Sequence, residues 1–132
     1  MFEVVDHTAD VRVRVTAPTL EELFRDAVSG MYAVMRAHPG KQRVEGTIFV
    51  EDSADTTTLL VDFLNAVLRR AYTAKEMYTR IVFTHLDDTT AETIVFGVAP
   101  AEFDEDVKAV TYHEADVRCE RGVWTTMLVF DI

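Results

Sequence analysis

Apolar residues recur along this chain with two distinct periods, and the first marks two helices. Leu20, Leu23, Phe24, Ala27, Val28, Met31, Val34 and Met35 repeat close to every 3.6 residues, which predicts a helix with one buried face. Thr19 and Glu22 stand at its start with capping-box spacing, in which each side chain satisfies a backbone donor of the first turn. His38-Pro39-Gly40 is expected to stop it. A second helix is predicted to begin near Asp55-Thr56-Thr57 and to bury Leu60, Phe63, Leu64, Val67, Leu68 and Ala71. Asp62, Asn65 and Arg69 fall on its opposite face.

The second period is two. Val11, Val13 and Val15 alternate with Arg12, Arg14 and Thr16, the pattern of a half-buried strand. Further strands are predicted near 2–5, 43–51, 80–86, 92–98, 107–113, 115–120 and 123–131. Leu86-Asp87-Asp88-Thr89-Thr90 and Glu120-Arg121-Gly122 have the composition of hairpin connections, and residues 99–106 read as an acidic loop. A regular βαβ array is excluded, because strands outnumber helices and follow one another directly. The fold class expected is α+β: a single domain over 1–132, a sandwich of mostly antiparallel or mixed sheet with two helices. Those helices could cover one sheet face, leaving the other to be closed by curvature or strand packing.

Composition narrows the setting. An apolar content of 48% excludes a disordered chain, while no apolar run approaches the ~20 residues that span a bilayer. The N-terminus shows no basic segment followed by an apolar one, so no signal peptide is expected. Cys119 is the single cysteine and has no internal partner for a disulfide, which suits a reducing cytoplasm. The formal net charge of −10 argues against a general RNA binder, since phosphate contacts draw their affinity from a basic face. Such acidity suits cation binding or docking onto a basic protein, and it equally suits plain solubility.

No nucleophile–base triad, phosphate-cradling glycine loop or cysteine-rich zinc motif is present. His7, His38, His85 and His113 are too far apart for a local metal motif. The candidate chemistry lies in carboxylates at strand ends. Asp6-His7-Thr8-Ala9-Asp10 interrupts two apolar strands with mostly polar residues, although turn chemistry alone would account for its aspartate content. At the other end, the last strand runs into Asp131 and Ile132, and the main-chain carboxylate of Ile132 is expected to be held beside Asp131. A third carboxylate brought near, such as Asp10, would be repelled unless a cation neutralised the group. Oxygen-only ligands select a hard cation, calcium or magnesium, over zinc. In Val107–His113, read as one strand, Lys108, Val110 and Tyr112 share a face. Lys108 could then balance the carboxylates or reach a partner's acidic group, or simply be a solvated lysine that protects a sheet edge.

These segments carry a family resemblance. Asp6-His7-Thr8-Ala9-Asp10-Val11, Thr19-Leu20-Glu21-Glu22 and Lys108-Ala109-Val110-Thr111-Tyr112-His113 closely match the archease pattern. Leu60-Val61-Asp62-Phe63-Leu64-Asn65 fits that family's second helix, and Phe130-Asp131-Ile132 resembles its Asp-Ile ending. The matches occur in the expected order over nearly the whole chain, and together they are specific. The resemblance implies an α+β sandwich containing a strand–helix–strand–strand module. It implies a non-enzymatic partner of the GTP-dependent tRNA-splicing RNA ligase, which joins 2′,3′-cyclic phosphate or 3′-phosphate ends. Such a partner promotes ligase guanylylation and multiple turnover; the charge and the lack of a long apolar run add the expectation of little direct RNA binding and no membrane association. It further implies a calcium ion held by Asp10, Asp131 and Ile132, with magnesium as the alternative, and a role in ligase activation for Lys108. His7 and Asp6 would flank and orient the metal loop. Two departures stand out: residues 68–75 are more basic than the family pattern, and the loop around Pro100 is short. The competing reading is a metal-dependent phosphohydrolase using Asp10 and Asp131, with His7 as base, but obvious substrate-binding lysines and arginines are lacking.

Overall fold

The computed structural model describes residues 1–5 and 10–132. Among them, β1 (Phe2–Val5) and β2 (Val11–Ala17) precede helix α1 (Leu20–Met35), followed by β3 (Ala37–His38) and β4 (Gln42–Val50). Helix α2 (Thr56–Ala74) leads into β5 (Met77–Leu86), β6 (Ala91–Ala99), β7 (Glu102–Phe103), β8 (Ala109–Thr111), β9 (Arg118–Glu120) and β10 (Val123–Asp131). The two helices and the strand-rich remainder make an α+β fold, as the hydrophobic periods predict.

Among the described residues all strand pairs are antiparallel, in two main sheets. The first runs β1-β2-β10-β8 with β9 added to β10, and the second runs β4-β6-β5. The helices are in contact with both: α1 with β1, β2 and β5, and α2 with β4, β6 and β8. The helices thus pack against two sheets, whereas the sequence had suggested that they could cover one face of a sheet. At its centre Phe24, Phe63 and Phe83 meet with ring centroids 5.6–6.0 Å apart, in tilted and edge-on pairs that favour the ring quadrupoles. Phe24 comes from α1, Phe63 from α2 and Phe83 from β5, so this one contact ties the helices to the second sheet.

Local chemistry sets the element ends. The Glu22 N–H donates to Thr19 Oγ1 at 3.1 Å, while the Glu22 carboxylate turns to Arg25 at 2.7 Å. Only the forward half of the capping box is therefore built as predicted. Helix α1 stops at Met35 because Arg36 adopts the left-handed conformation (φ 51°), and His38 belongs to β3, which pairs with β7. The acidic loop of 99–106 thus contains a short strand that its polarity concealed. Asp55 caps α2 by accepting from the Thr58 N–H at 2.8 Å. The β5–β6 turn is closed by Asp87, whose Oδ1 accepts from the Thr89 and Thr90 N–H groups at 2.9 Å each. Among the described residues no helix is long and apolar enough to cross a membrane.

Gly97 is required by a close approach. A Cβ there would lie 2.1 Å from the Met77 carbonyl oxygen and 2.8 Å from the Tyr78 Cα, because β5 bulges against β6 between Tyr78 and Arg80. On the adjacent strand, a Cβ at Gly46 would meet nothing nearer than the flexible Arg70 side chain, at 3.7 Å. Gly97→Ala is therefore expected to cost about 1–3 kcal/mol through backbone displacement. Gly46→Ala should be neutral, or should stabilise by a few tenths to about 1 kcal/mol. Urea unfolding of the two variants checks this, and equal losses would contradict the bulge contact.

Candidate functional site

Strand β10 lies inside the first sheet, and its last residues sit where three strand ends meet. Phe130 pairs with Val11 of β2, so one step beyond that rung Asp131 and Asp10 flank the same end of the sheet. On the other edge Asp131 pairs with Ala109 of β8, and the Lys108 N–H donates to the Asp131 carbonyl at 2.7 Å. Phe130 is fully buried whereas Asp131 is exposed, so the core fixes which residue reaches the surface. A slip of one residue would bury the carboxylate and expose the ring.

The backbone that carries Lys108 is irregular and is held by α2 from its far side. Asn65 Nδ2 donates to the Val110 carbonyl, and the Val110 N–H donates to Asn65 Oδ1, both at 2.9 Å. The amide thus takes the place of a neighbouring strand at the edge of the sheet. Two turns of α2 further on, Tyr72 repeats the device: its hydroxyl donates to the Val107 carbonyl and accepts from the Val107 N–H, both at 2.8 Å. Val107 and Val110 are both buried, and Lys108 is exposed between them. The segment is therefore not the regular strand expected over 107–113. Only Ala109–Thr111 is strand, and Lys108 does not share a face with buried Val110. Local alternation yields here to the two clamps. The strand expected over 115–120 is likewise confined to Arg118–Glu120.

Two further contacts hold the turn after β8. Tyr112 donates to Asp62 Oδ1 on α2, and Ser53 Oγ donates to the other Asp62 oxygen at 2.9 Å. That bond to the carboxylate raises the Tyr112 phenol above its ordinary range, with partial burial adding to it. The Tyr72 phenol is also raised, by desolvation first and then by the nearby Asp106 and Glu105 charges. Arg12, two residues after Asp10, pairs with Glu114 at 2.7 Å.

The structure therefore brings Asp10, Asp131, Ile132 and Lys108 to one end of the first sheet, with Ile132 exposed after the last rung. Asp6 and His7 lie outside the described residues. Among the described residues no three His, Cys, Asp or Glu side chains cluster as metal ligands. The oxygen set at this end consists of the Asp10 and Asp131 carboxylates and the main chain of Ile132. Asn65 and Tyr72 were not read as site residues from the sequence. Their only signal was a polar face on an otherwise apolar helix.

The architecture defines a small two-helix α+β protein whose candidate site is a strand end rather than an enclosed pocket. Residues 2–132 match the model of the Archease protein family, and the chain belongs to that family. It is 33% identical to the archease of Aeropyrum pernix, over 96% of this chain and 94% of that protein. It is 26% identical to the archease of Methanosarcina mazei, over 99% of this chain and 95% of that protein. The fold is similar to the crystal structure of the Thermotoga maritima archease, described as a possible chaperone, with a TM-score of 0.69 and 21% identity over 97% of this chain and 94% of that one.

Removing the Asn65 amide leaves a buried N–H and a buried C=O at Val110 without partners. Asn65→Ala is expected to destabilise the fold by about 1–3 kcal/mol and to speed amide exchange at Val110. Asn65→Asp, which keeps the acceptor, should retain more of the protection. Hydrogen exchange followed by NMR checks this, and an unchanged Val110 rate in Asn65→Ala would remove the clamp.

Proposed function

We propose that this protein is the accessory activator of the GTP-dependent tRNA-splicing RNA ligase, promoting its guanylylation and turnover through the strand-end site. The observation that supports the reading best is the presentation of Lys108. Its side chain is exposed, while its backbone is hydrogen-bonded to β10 and flanked by residues clamped to α2. Because that backbone is already ordered, only the side chain has freedom to lose when the cation meets an acidic or phosphate group of a partner. Membership of the archease family supports the reading of a protein that acts on another protein. A net charge of −10 makes a protein surface a better target than bare RNA. On this reading the covalent guanylate stays on the ligase.

The oxygen set fits a hard cation, calcium before magnesium, with Asp10, Asp131 and the main-chain carboxylate of Ile132 as the residues that would hold it. Bound there, the cation would offset the repulsion between carboxylates and stiffen the meeting point of β2 and β10. Asp6 and His7 would orient the connection that carries Asp10.

Lys108→Ala should change stability by less than about 1 kcal/mol, because the side chain is exposed, while stimulation of the ligase falls about tenfold or more. Labelled GTP followed on a denaturing gel, with and without this protein, measures it. Normal stimulation by Lys108→Ala, or label on this chain instead of the ligase, would overturn the proposal. The metal assignment has its own readout. A Gly-Ser extension after Ile132 turns the carboxylate into a neutral peptide group, so it should weaken calcium binding about tenfold or more, as Asp10→Ala should. Calorimetric titration of the metal-free protein checks both, and unchanged affinity in the extended protein would take Ile132 out of the site.

A further inference from the structure

A second cation shares the surface around Lys108. Between α2 and β8 lies a cavity of about 520 Å³ lined by Arg69, Tyr72, Lys108 and Tyr112, with Leu68 and Val110 also in its wall. The neighbouring Arg70 is engaged: it donates to the Thr47 carbonyl at 2.8 Å and lies 3.5 Å from Glu76. Arg69 and Lys108 have no ion pair among the described residues. In a chain with a net charge of −10, two such cations on one groove offer two points at which an anionic group can be met.

The shape of the groove restricts what can bring those anions. Its main-chain wall is closed, because Asn65 and Tyr72 occupy the N–H and C=O groups of Val110 and Val107. A partner cannot add a strand there, so recognition falls to side chains. Tyr72 and Tyr112 are 41% and 57% exposed, which leaves aromatic side chains accessible between the charges. Carboxylates border the cations: Asp62 bonded to Tyr112, and Glu105 and Asp106 near Tyr72. A nucleic acid carries a phosphate at every step and would meet that repulsion on both sides, whereas a peptide carries charge only where its sequence puts it.

We infer that this groove receives a short acidic segment of the partner protein, with its carboxylates against Arg69 and Lys108 and an apolar side chain against Tyr72 and Tyr112. The inference rests on the partner reading above and adds Arg69 as a docking residue. The test is calorimetric binding of the intact ligase to the wild-type protein, Arg69→Gln and Arg80→Gln at two salt concentrations, with thermal unfolding as the fold control. Arg80, exposed on β5 and stacked over Phe96, supplies an equal charge change away from the groove. Arg69→Gln should lose about tenfold in affinity and show a shallower salt dependence, while Arg80→Gln binds like wild type. Wild-type affinity in Arg69→Gln overturns the docking inference and leaves the partner reading standing. A wild-type protein that does not bind the ligase overturns the partner reading itself. A labelled 3′-phosphorylated RNA that binds the wild-type protein and is lost by Arg69→Gln would overturn the peptide in favour of nucleic acid.

Discussion

Strand β10 is hydrogen-bonded along both edges, and the arrangement of the molecule's surface chemistry depends on that pairing. Its partners β2 and β8 come from opposite ends of the chain, so residues near positions 10, 108 and 131 converge although most of the sequence separates them. The pairing is held in register by burial. Leu128 and Phe130 are fully buried, as are Val13 and Val15 on β2, and a one-residue slip would turn these side chains outward. The hydrophobic effect thus decides which carboxylate emerges at the strand end, and the hydrogen bonds decide what lies beside it.

Helix α2 has two roles that a single amphipathic stripe would not supply. One face buries Leu60, Phe63, Leu64 and Val67 in the core. Along its margin Asp62, Asn65 and Tyr72 reach across to the backbone and turn around β8. An irregular segment is costly to order, because each fixed residue loses about 1–2 kcal/mol of backbone entropy. Here the polar backbone groups of Val107 and Val110 find side-chain partners where no strand is available, which satisfies buried donors and acceptors and holds Lys108 between fixed points. Rigidity in that backbone is what makes a long, mobile lysine useful for recognition.

Charge gives the site its contrast. With a net charge of −10 the molecule repels anions on average, so two cations that share one groove stand out by their position. Arg69 and Lys108 lie on one groove, and the oxygen-rich end of β10 lies beside Lys108. The carboxylates at that strand end and the cations of the groove therefore lie side by side on the surface.

Both helices, the alternation of β2 and the termination of β10 at Asp131 were legible in the sequence, because each follows from the period of local burial or from a local cap. The candidate residues at the strand ends were legible as types and, through the archease resemblance, as a set. Their convergence was not, since antiparallel pairing of β2, β10 and β8 is a long-range choice that leaves no local period. The β3–β7 ribbon was hidden because two residues are too few to show alternation. The segment at 107–113 was misread as one strand because its composition favours strand, while its actual path is imposed by Asn65 and Tyr72 from a helix some 40 residues away. Sequence alone determined which residues form helix and strand and which are available for chemistry. Tertiary structure decided which of them meet, because only packing on the shared core brings distant main-chain donors and acceptors into hydrogen-bonding range.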